Sequence, residues 1–386
     1  MKAPLSEFLM EDWLESHRFS AKYNAGESGH RPQSLSGMLA GLQPDFDFNL
    51  TAALTHVMLC DAPNMGLEEL RCEVARLHPQ ASAENILITT GTSEALLLLL
   101  RQLRPKKVAV ITPAFQLLTE IPKSLGAEIL PLPLRWSADG TPHAPVENWI
   151  EDLAAQRPDV LIFNHPHNPS GLVFSDAECK AILDVCDRTG CIVIGDEHYR
   201  FLASSAENFE MGATVWQTGA RRYVTGSFIK CAGTAGLRIG WCVGDPVTLA
   251  AMQREKNYLT HTVNPLSQHL ALWFLQSFAR QKSFFKPLFE EWSENRTVLS
   301  EWLQGNPDWT GIAPQGGLVS CLFSKRPAES DTLLFALLRE RGVFLLPLST
   351  FALTELKVPQ RTDGFRIGLG LSPTLFKEML SVMVLN

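Results

Sequence analysis

The chain has no excess of basic residues: 34 lysines and arginines face 41 acids, for a net charge of −7. That excludes an electrostatic footprint for nucleic acid or for an anionic membrane, and it favours a small-molecule partner. There is no Cys-x-x-Cys pair and no His/Cys cluster with metal-ligand spacing. The eight cysteines (Cys60, Cys72, Cys179, Cys186, Cys191, Cys231, Cys242 and Cys321) are scattered, so no metal is expected and the thiols read as reduced residues of a cytoplasmic protein. Long apolar runs are missing too; the longest, Ala95–Leu100, is far too short to span a bilayer. The opening stretch, M-K-A-P-L-S-E-F-L-M-E-D-W-L-E, carries acids where a signal peptide needs a basic start and an apolar core. No internal repeat or low-complexity segment is evident. What remains, 45% hydrophobic and 19% charged, is the composition of a soluble globular protein.

A chain of 386 residues exceeds one simple core, so a large domain and a smaller one are expected. An amphipathic helix is predicted near Ser6–Phe19, followed by the turn-rich loop Asn24–His30. From about residue 51 strands and helices alternate. Strands are predicted at Asn85–Thr90, Lys107–Thr112, Glu128–Pro131, Val160–Asn164, Cys191–Ile194 and Arg222–Thr225. Helices are predicted at 66–77, Glu94–Gln102, Gln116–Leu125, Val146–Gln156 and Asp176–Thr189. This alternation argues for a mostly parallel sheet with helices on both faces. Beyond it, helices Pro265–Arg280 and Phe284–Gln304 lead into strands near Leu318–Phe323, Val343–Leu346 and Phe365–Leu369. The expected division is a large α/β domain over 51–265, and a smaller α+β domain built from 1–50 and 266–386.

In open α/β sheets ligands gather beyond the carboxyl ends of the strands. Thr92, Phe115, Asn168, Asp196 and Lys230 each lie just past such an end. A lysine there can condense with an aldehyde. A cofactor with a pyridine ring and a phosphate would need a carboxylate by the ring nitrogen, and Asp196 suits that place. It would need hydrogen bonds to a phenolic oxygen, from Tyr199 and Asn168, and a ring face covered by Phe115. Its phosphate would meet the Gly91-Thr92-Ser93 turn at a helix N-terminus, together with Ser227 and Arg238. Arg366, on a late strand, could clamp an α-carboxylate in two hydrogen bonds. Each residue also has a plainer reading: a helix cap for Asp196, a turn former for Asn168, a surface ion pair for Arg366, a space-filling thiol for Cys231.

The matched elements are G-T-S-E-A-L (91–96), Asn-Pro-Ser-Gly (168–171), D-E-H-Y (196–199), S-F-I-K (227–230), G-L-R-I-G-W (236–241) and F-R-I-G (365–368). On these the chain resembles the fold type I pyridoxal-phosphate enzymes of the class I/II aminotransferase superfamily, over essentially its whole length. The resemblance implies a seven-stranded, mostly parallel sheet sandwiched by helices, and pyridoxal 5'-phosphate as cofactor. It implies Lys230 as the Schiff-base lysine, Asp196 as the ring-nitrogen partner and Arg366 as the carboxylate anchor. A homodimer with active sites at the subunit interface is implied as well. The runs 3–14 and 19–22, H-P-H-N-P-S-G (165–171), L-R-I-G-W-C-V (237–243) and N-Y-L-T-H-T-V-N-P-L (257–266) are similar to a branch that cyclises a hydroxylated arginine. That branch forms a cyclic guanidino amino acid of capreomycidine or enduracididine type; ordinary transamination is the alternative.

Three departures bear on that choice. Residues 58–61, where many aminotransferases carry a tyrosine for the neighbouring subunit's phosphate, read Met-Leu-Cys-Asp. His165 stands where an asparagine is usual, and Phe115 where a tyrosine is usual. Glu27, Asp61 and Glu120 are the candidate acids for a guanidinium, and Ser28 and Gly29 the expected substrate contacts from the N-terminal loop. Lys230 is the expected proton carrier, with His30 or His198 as possible helpers.

Overall fold

A computed structural model describes residues 5–203, 211–325, 330–353 and 361–384, so Ala3 and Pro4 of the quoted N-terminal run lie outside it. Short apolar runs form the strands of one sheet. They are β1 (Ile86–Thr89), β2 (Lys107–Thr112), β3 (Glu128–Pro133), β4 (Val160–Asn164), β5 (Ile192–Asp196), β6 (Arg222–Gly226) and β7 (Gly240–Val243). The seven strands lie in the order β1-β7-β6-β5-β4-β2-β3. Neighbours from β6 to β3 pair in parallel, while β7 is antiparallel to both β6 and β1. β4 buries all of its residues, so the sheet needs cover on both faces, which helices supply. This is the α/β architecture of fold type I.

Helices α1 (Leu9–His17), α2 (Thr92–Leu103), α3 (Val146–Gln156), α4 (Asp176–Thr189), α5 (Pro265–Ala279) and α6 (Phe285–Gly305) follow from local signals. In α4, the Ser175 side chain accepts from the Glu178 N–H while the Glu178 carboxylate accepts from Ser175 N. That capping box starts the helix, and Gly190 in the left-handed region, at φ +76°, ends it. The start of α2 differs from expectation. It begins at Thr92 rather than Glu94, because Gly91 at φ +82° turns the chain straight out of the strand into the helix. The N-terminal helix is shorter than predicted, covering Leu9–His17 only.

A second, four-stranded antiparallel sheet has the order β8-β9-β11-β10, with β8 (Trp309–Gly311), β9 (Val319–Ser324), β10 (Leu346–Pro347) and β11 (Gly364–Gly368). The strand predicted over Val343–Leu346 breaks at Leu345. Its first half, Val343–Phe344, pairs in parallel with Tyr23–Asn24, and its second half pairs with β11. One short segment thereby carries the N-terminal chain up to the sheet that bears Arg366. The loop after β6 is braced from below: Phe228, fully buried, stacks on Phe274 of α5 with ring centroids 4.1 Å apart. Among the described residues no helix is long and apolar enough to cross a membrane.

Candidate active site

Strand register creates the centre of the site. Asn164 at the end of β4 pairs with Asp196 at the end of β5, and Asp196 pairs with Thr225 on β6. Residues paired across a sheet project to the same face, so the three polar side chains form a row. Asn164 Nδ2 donates to Asp196 Oδ2 at 3.0 Å, and Thr225 Oγ1 lies 3.4 Å from Oδ1. Burial raises the Asp196 pKa above its ordinary value, opposed by His198, Thr225 and Asn164. A buried carboxylate so placed calls for a cation against it.

That shift predicts how the cofactor-free protein responds to pH. A carboxyl whose folded pKa is raised stabilises the fold fully below its unfolded value, near about 3.9. The contribution is lost as pH rises through the folded value. Asp196→Asn removes the loss. Its urea midpoint, measured without cofactor, should therefore exceed the parent's by a margin that widens from about pH 4 to about pH 7. A margin that narrows instead would contradict the buried-charge account.

Asp196 opens onto a cavity of about 700 Å³ lined by Lys230, Phe115, Asn168, Tyr199, Arg238 and Arg366 among others. Lys230 follows β6, and its backbone carbonyl accepts from His30 N at 2.8 Å. Burial lowers its pKa, opposed by Glu27 and reinforced by Arg366. Gly91, Thr92 and Ser93 form one wall. α2 has no side-chain cap at its N-terminus, so its first N–H groups are left to the cavity. Arg238 lies against this end; a Cβ on Gly91 would stand 3.0 Å from its Nη2. Tyr199 donates to the Ser28 carbonyl at 2.6 Å, and burial raises its pKa. Arg366 donates from Nη1 to Asn168 Oδ1 at 3.2 Å and from Nη2 to Gly26 O at 2.6 Å. Those two bonds spend two of the guanidinium's five N–H donors, and each terminal nitrogen keeps a second one; Nε is buried without a hydrogen-bond partner among the described residues.

A lysine amine, a buried carboxylate, an uncapped helix end beside an arginine, and an unspent guanidinium donor meet the needs of pyridoxal 5'-phosphate and an amino acid. The residues present fit the group.

Several sequence expectations come out differently. Ser227 does not line the cavity. Its hydroxyl is buried, donates to Ile239 O at 2.7 Å and accepts from Ile229 N at 3.2 Å, so it shapes the lysine loop. Asp61 and Glu120 also lie away from it: Asp61 accepts from Thr262, and Glu120 from Ser6 and Lys123. Glu27, Ser28, Gly29 and His30 do line it. His30 is held by the Leu288 carbonyl at 3.0 Å and burial lowers its pKa. Cys231 is buried, and burial raises its thiol pKa, which favours the space-filling reading. His165 stacks beside Phe163 outside the cavity, its pKa lowered by burial to about 4. Asn164, one residue earlier, is the residue that reaches Asp196, and its Oδ1 accepts from Asn168 N at 2.7 Å. A lone asparagine closing an apolar strand was its only sequence signal. Glu11 and Arg18 of the N-terminal segment were missed as well; both line the cavity, joined at 3.0 Å.

The family described as aminotransferase class I and II matches residues 53–382. The capreomycidine synthase of Streptomyces vinaceus is 28% identical over 364 residues, covering 93% of this chain and 88% of that protein. The arginine–pyruvate transaminase AruH of Pseudomonas aeruginosa is 25% identical over 354 residues, covering 87% and 86%. Among solved structures, a PLP-dependent aminotransferase from Streptococcus suis superposes with a TM-score of 0.84 at 21% identity, covering 98% of this chain and 96% of that one.

Proposed function

The chain belongs to the class I and II aminotransferase family and is a pyridoxal-phosphate-dependent enzyme, and we propose that it cyclises a hydroxylated arginine to a cyclic guanidino amino acid. One observation carries the choice of substrate. The cavity contains an acidic pair that already holds a guanidinium: Arg18 Nη2 lies 3.0 Å from Glu11 Oε2, and its Nε lies 3.6 Å from Glu27 Oε1. A substrate guanidinium replacing that of Arg18 would meet the same two carboxylates. The likeness to a capreomycidine synthase supports the same choice.

When bound, pyridoxal 5'-phosphate draws electrons from the substrate α-carbon and so lets a bond there break. Asp196 places negative charge for the ring nitrogen, and the Thr92 end of α2 with Arg238 takes the phosphate. Arg366 fixes the α-carboxylate. Lys230 Nζ, its pKa lowered by burial, takes the α-proton. The hydroxyl leaves as water, a guanidine nitrogen closes on the alkene so formed, and the α-carbon regains a proton. The amino group is retained and no 2-oxo acid is consumed. The homodimer, the cytoplasmic location and the division into 51–265 and 1–50 with 266–386 belong to this proposal.

Incubation with hydroxyarginine in the absence of any 2-oxo acid tests it, with products followed by mass. The expected product has lost one water and kept its amino nitrogen. A 2-oxo acid product, with the cofactor converted to its amine, would assign transamination instead, the activity named for the Pseudomonas relative.

A further inference from the structure

The turn after β5 carries a histidine that the proposed chemistry leaves without a task. His198 Nε2 lies 2.8 Å from Thr92 Oγ1, on the first turn of α2, and 3.2 Å from Asp196 Oδ1. Its Nδ1 is buried with no hydrogen-bond partner among the described residues. The facing groups decide the tautomer. An ionised carboxylate only accepts, so the nitrogen facing it carries the proton, and Nδ1 keeps a lone pair. The charged groups around the ring are Asp196, Lys230 and Arg238. Burial and the two cations favour the neutral ring, with Asp196 opposing. The ring thus stands between the wall that bears the ring-nitrogen carboxylate and the wall that cradles the phosphate.

We propose that His198 is a positioning residue, whose Nε2–H, shared between Asp196 and Thr92, holds the two ends of the cofactor site in one geometry. The proposal rests on the cavity being the cofactor's site. Without the imidazole, Asp196 Oδ1 retains the 3.4 Å contact with Thr225, and the Thr92 hydroxyl loses its partner across the cavity. A carboxylate that is free to turn, and that burial already disfavours as an ion, presents its charge less well to the ring nitrogen.

The test strips the holoenzyme of cofactor and titrates it back, with affinity read from visible absorbance. His198→Ala and His198→Asn should weaken pyridoxal-phosphate binding by about tenfold to a hundredfold, the loss expected for one hydrogen bond to a charged group. His198→Gln should stay within about threefold of the parent, because its side-chain amide nitrogen reaches where Nε2 stood. Thr92→Val combined with His198→Ala should cost less than the sum of the two, since both break the same bond. Parent-like binding by His198→Ala overturns the proposal, and so does His198→Gln binding as weakly as His198→Asn. Should His198→Ala fail to fold, the Gln and Asn pair decides alone. Asp196→Ala separates the two levels. If it also binds normally, the reading of the cavity is wrong; if it alone fails, only the role of His198 falls.

Discussion

Lys230→Ala is expected to lower turnover by at least about 10⁴-fold and to remove the visible absorbance that the cofactor gains on joining the protein. The size follows from two tasks on one atom. Nζ is the proposed covalent anchor for the cofactor's aldehyde and the proposed carrier of the α-proton, so the variant would lose both. The surroundings prepare it for this. Burial lowers the amine pKa, Arg366 and Arg238 reinforce the shift, and Glu27 and Glu11 oppose it, so a neutral amine forms more readily than on a surface lysine. The fold should survive, because Phe228, Ile229, Cys231 and Ala232 around it are buried and hold the loop without Nζ. Absorbance spectroscopy and single-turnover assays check the result. An unchanged visible spectrum in a folded variant would remove Lys230 from the site.

Arg366→Leu should reduce kcat/KM for amino-acid substrates by about 10²- to 10³-fold, mainly through KM, from the loss of a charge-assisted, two-point contact. The side chain sits on β11 and is 2% exposed. Asn168 and Gly26 fix two of its nitrogens, and its charge lies 5.4 Å above the Phe351 ring. A guanidinium held on three sides is preorganised, so little rotamer entropy remains to be lost on binding a carboxylate. Arg366→Lys should not restore the affinity, because an ammonium lacks the planar fork. Steady-state kinetics with the amino acid and with its decarboxylated analogue give the check. The variant should discriminate poorly between them. A KM unchanged for the acid would place the anchor elsewhere.

The chemistry-bearing positions at strand ends were readable because each rule involved is local. An apolar run closed by a polar residue makes a buried strand with a polar tip, as at Ile192–Asp196; Val160–Asn164 carries the same pattern, but nothing in it singled out Asn164. A Gly-Thr-Ser turn before a leucine-rich run makes a helix start, and its N–H groups follow. Ser227 shows where such reading stops. Its position beside the lysine is visible in the sequence, but its χ1 is chosen by a carbonyl twelve residues on, Ile239 O, which only the folded loop brings near. Glu120 and Asp61 failed for a related reason: the need for an acid says nothing about which acid faces the cavity, and Lys123, Ser6 and Thr262 claim these two.

By itself, then, the sequence determined the α/β architecture, because period and turn chemistry act within a few positions of one another; its motifs, through their resemblance to a known family, implied the cofactor class and the roles proposed for Lys230, Asp196 and Arg366. Tertiary structure decided the partners. Strand register set Asn164 beside Asp196, the parallel pairing of Tyr23–Asn24 with Val343–Phe344 brought Glu27 and Arg18 to the cavity, and the meeting of α2 with the β5 turn placed His198 between Thr92 and Asp196. Those contacts join residues far apart along the chain, and their geometry depends on how whole elements pack, which no local pattern records.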